Sequence, residues 1–175
     1  MVKIVISGPP GSGKTTQAKL ISEKLNLRLF SAGLVFREIA RERGLSVEEL
    51  SLVAVKDPTI DLEVDRKTFE AAKDDNIVID GHLAGWIVGD MVDYRIYITA
   101  PLILRVLRIA SRDGVSIESA LKETLIRETT QRKRFFEIYG IDTSDLSTYD
   151  VIINTGKIGI KETFEIIKKA LENKL

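Results

Sequence analysis

The chain has 175 residues, 26 basic and 26 acidic side chains, one histidine and no cysteine. Zero net charge argues against a general nucleic-acid-binding surface, the missing cysteines exclude disulfides and thiolate metal sites, and a lone histidine excludes a multi-histidine site. No stretch approaches the roughly 18 apolar residues of a membrane span and no signal-peptide pattern leads the chain, so one cytoplasmic domain over 1–175 is expected, with no membrane or nucleic-acid partner.

"KIVIS" (3–7) is a β-branched apolar run and reads as a buried strand. Gly8, Gly13, Lys14 and Thr15 then satisfy G-x-x-x-x-G-K-[ST], a phosphate-binding loop between a strand and a helix. The following helix puts Ala18, Ile21 and Leu25 on one face. "LRLF" (27–30) reads as a second strand, and Leu34 to Arg43 as a helix stopped by Gly44. Ser46 and Glu49 form a capping box. Asp57-Pro58 reads as an N-cap followed by proline at the first helical position, with that helix reaching about Lys73. "NIVID" (76–80) and "YRIYIT" (94–99) are the third and fourth strands. Pro101 opens a helix with Leu102, Ile103, Val106, Leu107 and Ala110 on its apolar side, and Gly114 breaks it. A long helix runs from about Ser116 to Tyr139, ended by Gly140. "YDVIIN" (149–154) is the fifth strand and a closing amphipathic helix begins near Ile158. Strands alternating with helices imply an α/β fold, a parallel sheet covered by helices on both faces, with ligands at the carboxyl ends of the strands.

The loop residues Gly8, Pro9, Pro10, Gly11, Ser12, Gly13, Lys14, Thr15 and Thr16 are therefore expected to bind a nucleoside triphosphate. Backbone N–H groups would meet phosphate, Lys14 would reach the β- and γ-phosphates, and the Thr15 hydroxyl would coordinate Mg²⁺. Asp80, at the end of the third strand, either begins a turn or holds the metal, and the phosphate-loop context favours the metal. No N-K-x-D motif occurs and no D-x-x-G follows strand three, which argues against a GTPase switch.

Three arginines, Arg105, Arg108 and Arg112, fall at i, i+3 and i+7 on the polar side of their helix, and Arg127, Gln131 and Arg134 at i, i+4 and i+7 on the next. Two arginine-lined helices joined by the turn at Asp113-Gly114 make a closing lid. Such a lid suits phosphoryl transfer between nucleotides, and a phosphate acceptor needs no general base because a monophosphate is largely a dianion at neutral pH.

The segments "SGPPGSGKTT" (7–16), "SAGLVFRE" (31–38), "DPTIDLEVD" (57–65), "DGHLAGW" (80–86), "RVLRIASRDG" (105–114), "RETTQRKRFFEIYGID" (127–142) and "YDVIINT" (149–155) resemble the nucleoside monophosphate kinases, and most closely the short archaeal cytidylate kinases. The resemblance implies a P-loop three-layer α/β/α fold with a five-stranded parallel sheet in order 2-3-1-4-5. It adds a monophosphate-binding segment at about 33–73 and a lid at about 105–134. It implies transfer from ATP, with Mg²⁺, to CMP and dCMP. Lys14, Arg37, Arg108, Arg112, Arg127 and Arg134 would be catalytic. Arg105, Asn154 and Lys157 would serve the ATP side. Ser31, Gly33, Arg37, Asp61, Asp65, His82, Gly85, Arg127, Gln131 and Arg134 would form the CMP side, with Thr15 and Asp80 at the metal. Cytosine's exocyclic amine needs an acceptor, and Asp61 and Asp65, one helical turn apart, either provide it or form a solvated acidic face. The chain carries His82 where the family has arginine, so His82→Arg is expected to keep or improve acceptor binding. Another acceptor such as UMP or AMP, or a non-catalytic ATP-binding regulatory module, remain the alternatives. The sequence leaves a monomer and a small homo-oligomer both open, and Trp86 as either core or interface.

Overall fold

The structure, a computed structural model, describes residues 2–172. Five strands are formed: β1 Lys3–Ser7, β2 Arg28–Ser31, β3 Ile77–Asp80, β4 Tyr94–Thr99 and β5 Val151–Asn154. All pair in parallel in the order β2-β3-β1-β4-β5, with Ile6 opposite Asp80 and Ile96, so the carboxyl ends of the central strands share one edge. Ile4, Val5, Ile6, Ile77, Val78, Ile79, Ile96 and Ile98 are fully buried, as a sheet covered on both faces requires.

The helices are α1 Lys14–Leu25, α2 Ala32–Glu42, α3 Val47–Ala54, α4 Thr59–Ala71, α5 Ala84–Val88, α6 Leu102–Asp113, α7 Ile117–Tyr139 and α8 Ile160–Leu171. One face of the sheet packs Ile4, Ile6, Val78, Ile96 and Ile98 against Ala18 and Ile21 of α1 and Phe164, Ile167 and Leu171 of α8. The other face packs Val5, Ile77 and Ile79 against Ala71, Ala72, Ala84 and Val88. Two smaller cores lie between helices, one of them reached from the sheet by Phe30 of β2. One joins α2, α3 and α4 through Val35, Ile39, Leu50, Ile60 and Val64. The other joins α6 and α7 through Val106, Ile109, Ala110 and Ala120.

Local chemistry accounts for the boundaries. The Ser46 hydroxyl accepts from Glu49 N while the Glu49 carboxylate accepts from Ser46 N, at 3.0 and 2.7 Å, completing the expected capping box. Asp57 accepts from Thr59 N at 3.2 Å, and Pro58 already has helical dihedrals, so the expected cap-then-proline start holds. Gly114 and Gly140 end α6 and α7 in the left-handed conformation. The short helix α5 was not expected. It is five residues long and carries no side-chain cap, but Gly85 N donates to the Ser7 hydroxyl at 2.9 Å, which ties it to β1.

Helix α6 corrects the expected apolar face. Leu102, Ile103 and Leu107 are exposed, and the buried stripe is Arg105, Val106, Ile109 and Ala110. The helix turns this way because Arg105 finds a carboxylate inside, Glu128 of α7, which offsets its desolvation. Among the described residues no helix is long and apolar enough to cross a membrane.

Candidate active site

The loop between β1 and α1 lies against the ends of β4 and α6 so tightly that side chains are excluded. A Cβ on Gly8, whose φ is +146°, would stand 2.0 Å from the Ile98 carbonyl oxygen. One on Gly11, at +76°, would stand 2.6 Å from that of Arg105. The first-turn N–H groups of α1 have no intrahelical partners, and they open onto the same space as the positive end of the helix dipole. That space is a cleft of about 1090 Å³ lined by Pro10, Gly11, Ser12, Gly13, Lys14, Thr15 and Thr16, with Arg37, Arg108, Arg112 and Arg127 opposite. Burial lowers the Lys14 pKa, as do nearby Arg127, Arg37 and Arg112, while Asp80 opposes the shift. An anion placed among these cations would relieve their mutual repulsion.

Three of the cleft's cations already have protein partners. Arg112 donates to Asp113 at 2.6 and 2.7 Å and depresses that carboxyl below its usual range. Arg127 donates to Glu123 at 3.3 Å, one helical turn away. Arg108 donates to the Thr155 hydroxyl and carbonyl at 3.0 and 2.9 Å, and Thr155 Oγ1 donates to Ser12 O at 2.8 Å. The phosphate loop and the loop after β5 are thereby tied together. Gln17 strengthens this tie, its amide donating to Ile160 O at 2.9 Å.

At the end of β3, Asp80 Oδ2 accepts from the Thr15 hydroxyl at 2.7 Å and from the Ser31 hydroxyl at 3.1 Å. Its other oxygen is buried without a partner among the described residues. Next to it lies a narrow cavity of about 90 Å³. Ser31, Gly33, Arg37, Asp61, Asp65, His82, Arg127 and Gln131 all line it, together with Lys14, Thr15 and Asp80. His82 Nδ1 meets Gln131 Oε1 at 2.5 Å, and burial holds the imidazole down to about 3, helped by the Lys14 charge. His82 is therefore neutral across ordinary pH.

Several expected site residues lie elsewhere. Arg134 is 1% exposed and lines neither cavity: its Nε and Nη2 donate to Asp61 at 2.6 and 3.2 Å, and Nη1 to Ser51 O at 3.1 Å. Asp61 is consumed by that pair. Arg105 is not on a polar face. It lies behind the phosphate loop, pairing with Glu128 and donating to Ala100 O and Pro10 O at 2.9 and 3.1 Å. Gly85 packs beneath Tyr149, where a Cβ would come within 2.5 Å of the ring. Asn154 spends its side chain on Gly156 N, and neither it nor Lys157 lines the cleft; Thr155, Ile158, Gly159, Ile160 and Thr163 do. Of the residues that sequence reasoning missed, Glu123 was legible from its i, i+4 spacing to Arg127, whereas Glu128 and Tyr139 carry no local signal. Trp86 is partly buried and meets Tyr97 and Tyr149 edge-on, so at least one face of it is core.

A family model described as an AAA domain matches residues 7–134. The chain is 61% identical over 173 residues to a cytidylate kinase of Desulfurococcus amylolyticus, covering 98% of this chain and 94% of that one. It is 56% identical over 172 residues to a cytidylate kinase of Staphylothermus marinus, covering 98% and 97%. Its fold matches a solved protein of Eubacterium ventriosum at a TM-score of 0.74, with 22% identity, over 99% of this chain and 100% of the other.

Proposed function

Because this chain belongs to the archaeal cytidylate kinases, P-loop phosphotransferases, we propose that it moves the γ-phosphoryl group of ATP onto CMP and dCMP, releasing ADP and CDP or dCDP. The observation that carries the reading is Arg127, the arginine that with Arg37 lines both the phosphate-loop cleft and the adjoining cavity. A guanidinium at that junction serves the group in flight.

The loop from Gly8 to Thr16 and the first turn of α1 bind the donor triphosphate, with Lys14 on its β- and γ-phosphates. Thr15 and Asp80 suit a nucleotide-borne Mg²⁺: the carboxylate has one orphaned buried oxygen, and no cluster of three or more His, Cys, Asp or Glu competes among the described residues. When bound with ATP, that ion would offset charge on the phosphate oxygens. The unpartnered oxygen of Asp80 is the atom available to it or to one of its waters.

Arg37 and Arg127 hold the acceptor phosphate, and Arg108 and Arg112 the donor. As phosphate enters, Arg112 and Arg127 exchange Asp113 and Glu123 for phosphate oxygens, charge-assisted acceptors that a guanidinium binds equally well. Arg105 and Arg134 act at one remove, bracing the phosphate loop and the acceptor helices. The segment 33–73 carries the acceptor and 105–134 is the lid, each with its own small core, on a single domain. A monophosphate dianion attacks without a general base.

The test is ADP release from ATP and Mg²⁺ with CMP, dCMP, UMP, AMP or GMP supplied separately. Turnover led by CMP and dCMP supports the proposal. Turnover led by another monophosphate replaces the acceptor, and ADP release indifferent to acceptor replaces the kinase reading with an ATPase or binding module.

A further inference from the structure

Asp61 and Asp65 point from one turn of α4 toward the acceptor side, yet the structure treats them differently. Both oxygens of Asp61 are bonded to the Arg134 guanidinium. Asp65 has one oxygen, Oδ2, accepting from the Tyr139 hydroxyl at 2.6 Å. Its Oδ1 accepts from none of the described residues, and Asp65 lines the cavity beside Phe36, Val64 and Phe135. A cavity lined by both apolar and charged side chains, with one free carboxyl oxygen, is a place for the edge of a flat, polar-edged ring.

We propose that Asp65 alone reads the acceptor base, and that gain or loss of its proton selects between an amino- and a keto-pyrimidine. This deepens the acceptor assignment above and rests on it. As a carboxylate, Oδ1 can only accept, and it matches the N4 amine of cytosine. As a neutral acid, Oδ1 carries the proton, because Oδ2 is engaged as an acceptor by Tyr139; it then donates, and matches the O4 carbonyl of uracil. The phenol is a fixed donor: burial and the Asp65 bond push its pKa up, away from ionisation.

The groups facing Asp65 make both states accessible. Burial pushes its carboxyl up to about 7, the Tyr139 bond restrains it, Asp61 on α4 raises it further and Arg134 on α7 lowers it. Across the same cavity stand Arg37 from α2, Lys14 from α1, Arg127 from α7 and neutral His82 after β3.

The experiment measures kcat/KM for CMP and for UMP from about pH 5.5 to about pH 8.5 and follows their ratio. Ionisation of the acceptor phosphate and of shared catalytic groups cancels in that ratio. The CMP preference should fall by up to about tenfold per pH unit as Asp65 gains its proton. Asp65→Asn places its amide oxygen toward Tyr139 and its NH₂ in the cavity, so it should favour UMP at every pH with a flat ratio. Tyr139→Phe removes a bond that favours the carboxylate, so the midpoint should move to higher pH. A flat ratio in the parent enzyme, or an Asp65→Asn ratio that still tracks pH, overturns the inference while leaving a CMP kinase standing. Absence of turnover on both pyrimidines overturns the acceptor assignment and this inference with it.

Discussion

Arg134 and Asp61 join α7 to α4 by two hydrogen bonds inside the protein, 73 residues apart in the chain. The pair is 1% and 5% exposed at its side chains, so neither charge has water to fall back on. Asp61→Ala leaves the guanidinium buried and unpaired and should lower unfolding free energy by about 3–5 kcal/mol, measured by urea titration. The double variant Asp61→Leu/Arg134→Met, which removes both charges, should recover most of that loss.

Lys14 presents the opposite case. Its ammonium is desolvated among arginines, so it opposes folding until phosphate arrives. Lys14→Met should abolish ADP release by about 100-fold or more while the nucleotide-free protein melts at the same or a higher temperature. A lower melting temperature would show that the ammonium is stabilising instead.

Gly85 separates packing from binding. A methyl group there meets the Tyr149 ring at 2.5 Å, so Gly85→Ala should destabilise the protein by about 1–3 kcal/mol by denaturant titration. The acceptor KM of the folded fraction should stay unchanged, because Gly85 is outside both cavities.

His82→Arg puts a fixed cation beside Lys14 and Arg127, next to Gln131. The unliganded variant should melt at a lower temperature. The acceptor KM should be kept or improved, since the new guanidinium makes a forked contact that imidazole cannot. A rise in KM of tenfold or more would show that the space is reserved for a smaller group.

The raised pKa of Asp65 also leaves a stability signature. The folded protein holds that proton at pH values where the unfolded chain, with an ordinary aspartate near 3.8, has released it. The native state then binds more protons, so this group's contribution falls as pH rises from about 4 to about 7. Asp65→Asn should therefore be more stable than the parent at pH 8, with the difference closing as pH falls to 4, by urea titration at each pH.

Much of the fold and the phosphate loop could be read from the chain, because the signals are local. Short apolar runs, β-branched in all but the second strand, placed all five strands within two residues, and the glycine-lysine-threonine pattern carries its own backbone geometry. The arginines were harder. A helical wheel places Arg105 and Arg134 beside cavity-lining arginines, and it does not show the distant carboxylates that pair with them inside the protein. Glu128 and Asp61 lie 23 and 73 residues away, beyond any periodicity. The same limit hid Tyr139, which acquires meaning only when α4 brings Asp65 to it. Helix α5 escaped notice because five residues with a glycine among them have neither length nor caps to declare them.

Helix α7 has one more consequence. It is a single helix of 23 residues, about 34 Å long at the usual rise per residue. Its Glu123 and Arg127 line the phosphate-loop cleft, and its Arg127, Gln131 and Phe135 line the narrow cavity beside Asp80. In the proposed reaction one rigid rod would serve as the gauge between two nucleotides. The separation of their phosphates would be inherited from helical pitch, and a proline or an inserted residue between Glu123 and Phe135 would change that measurement.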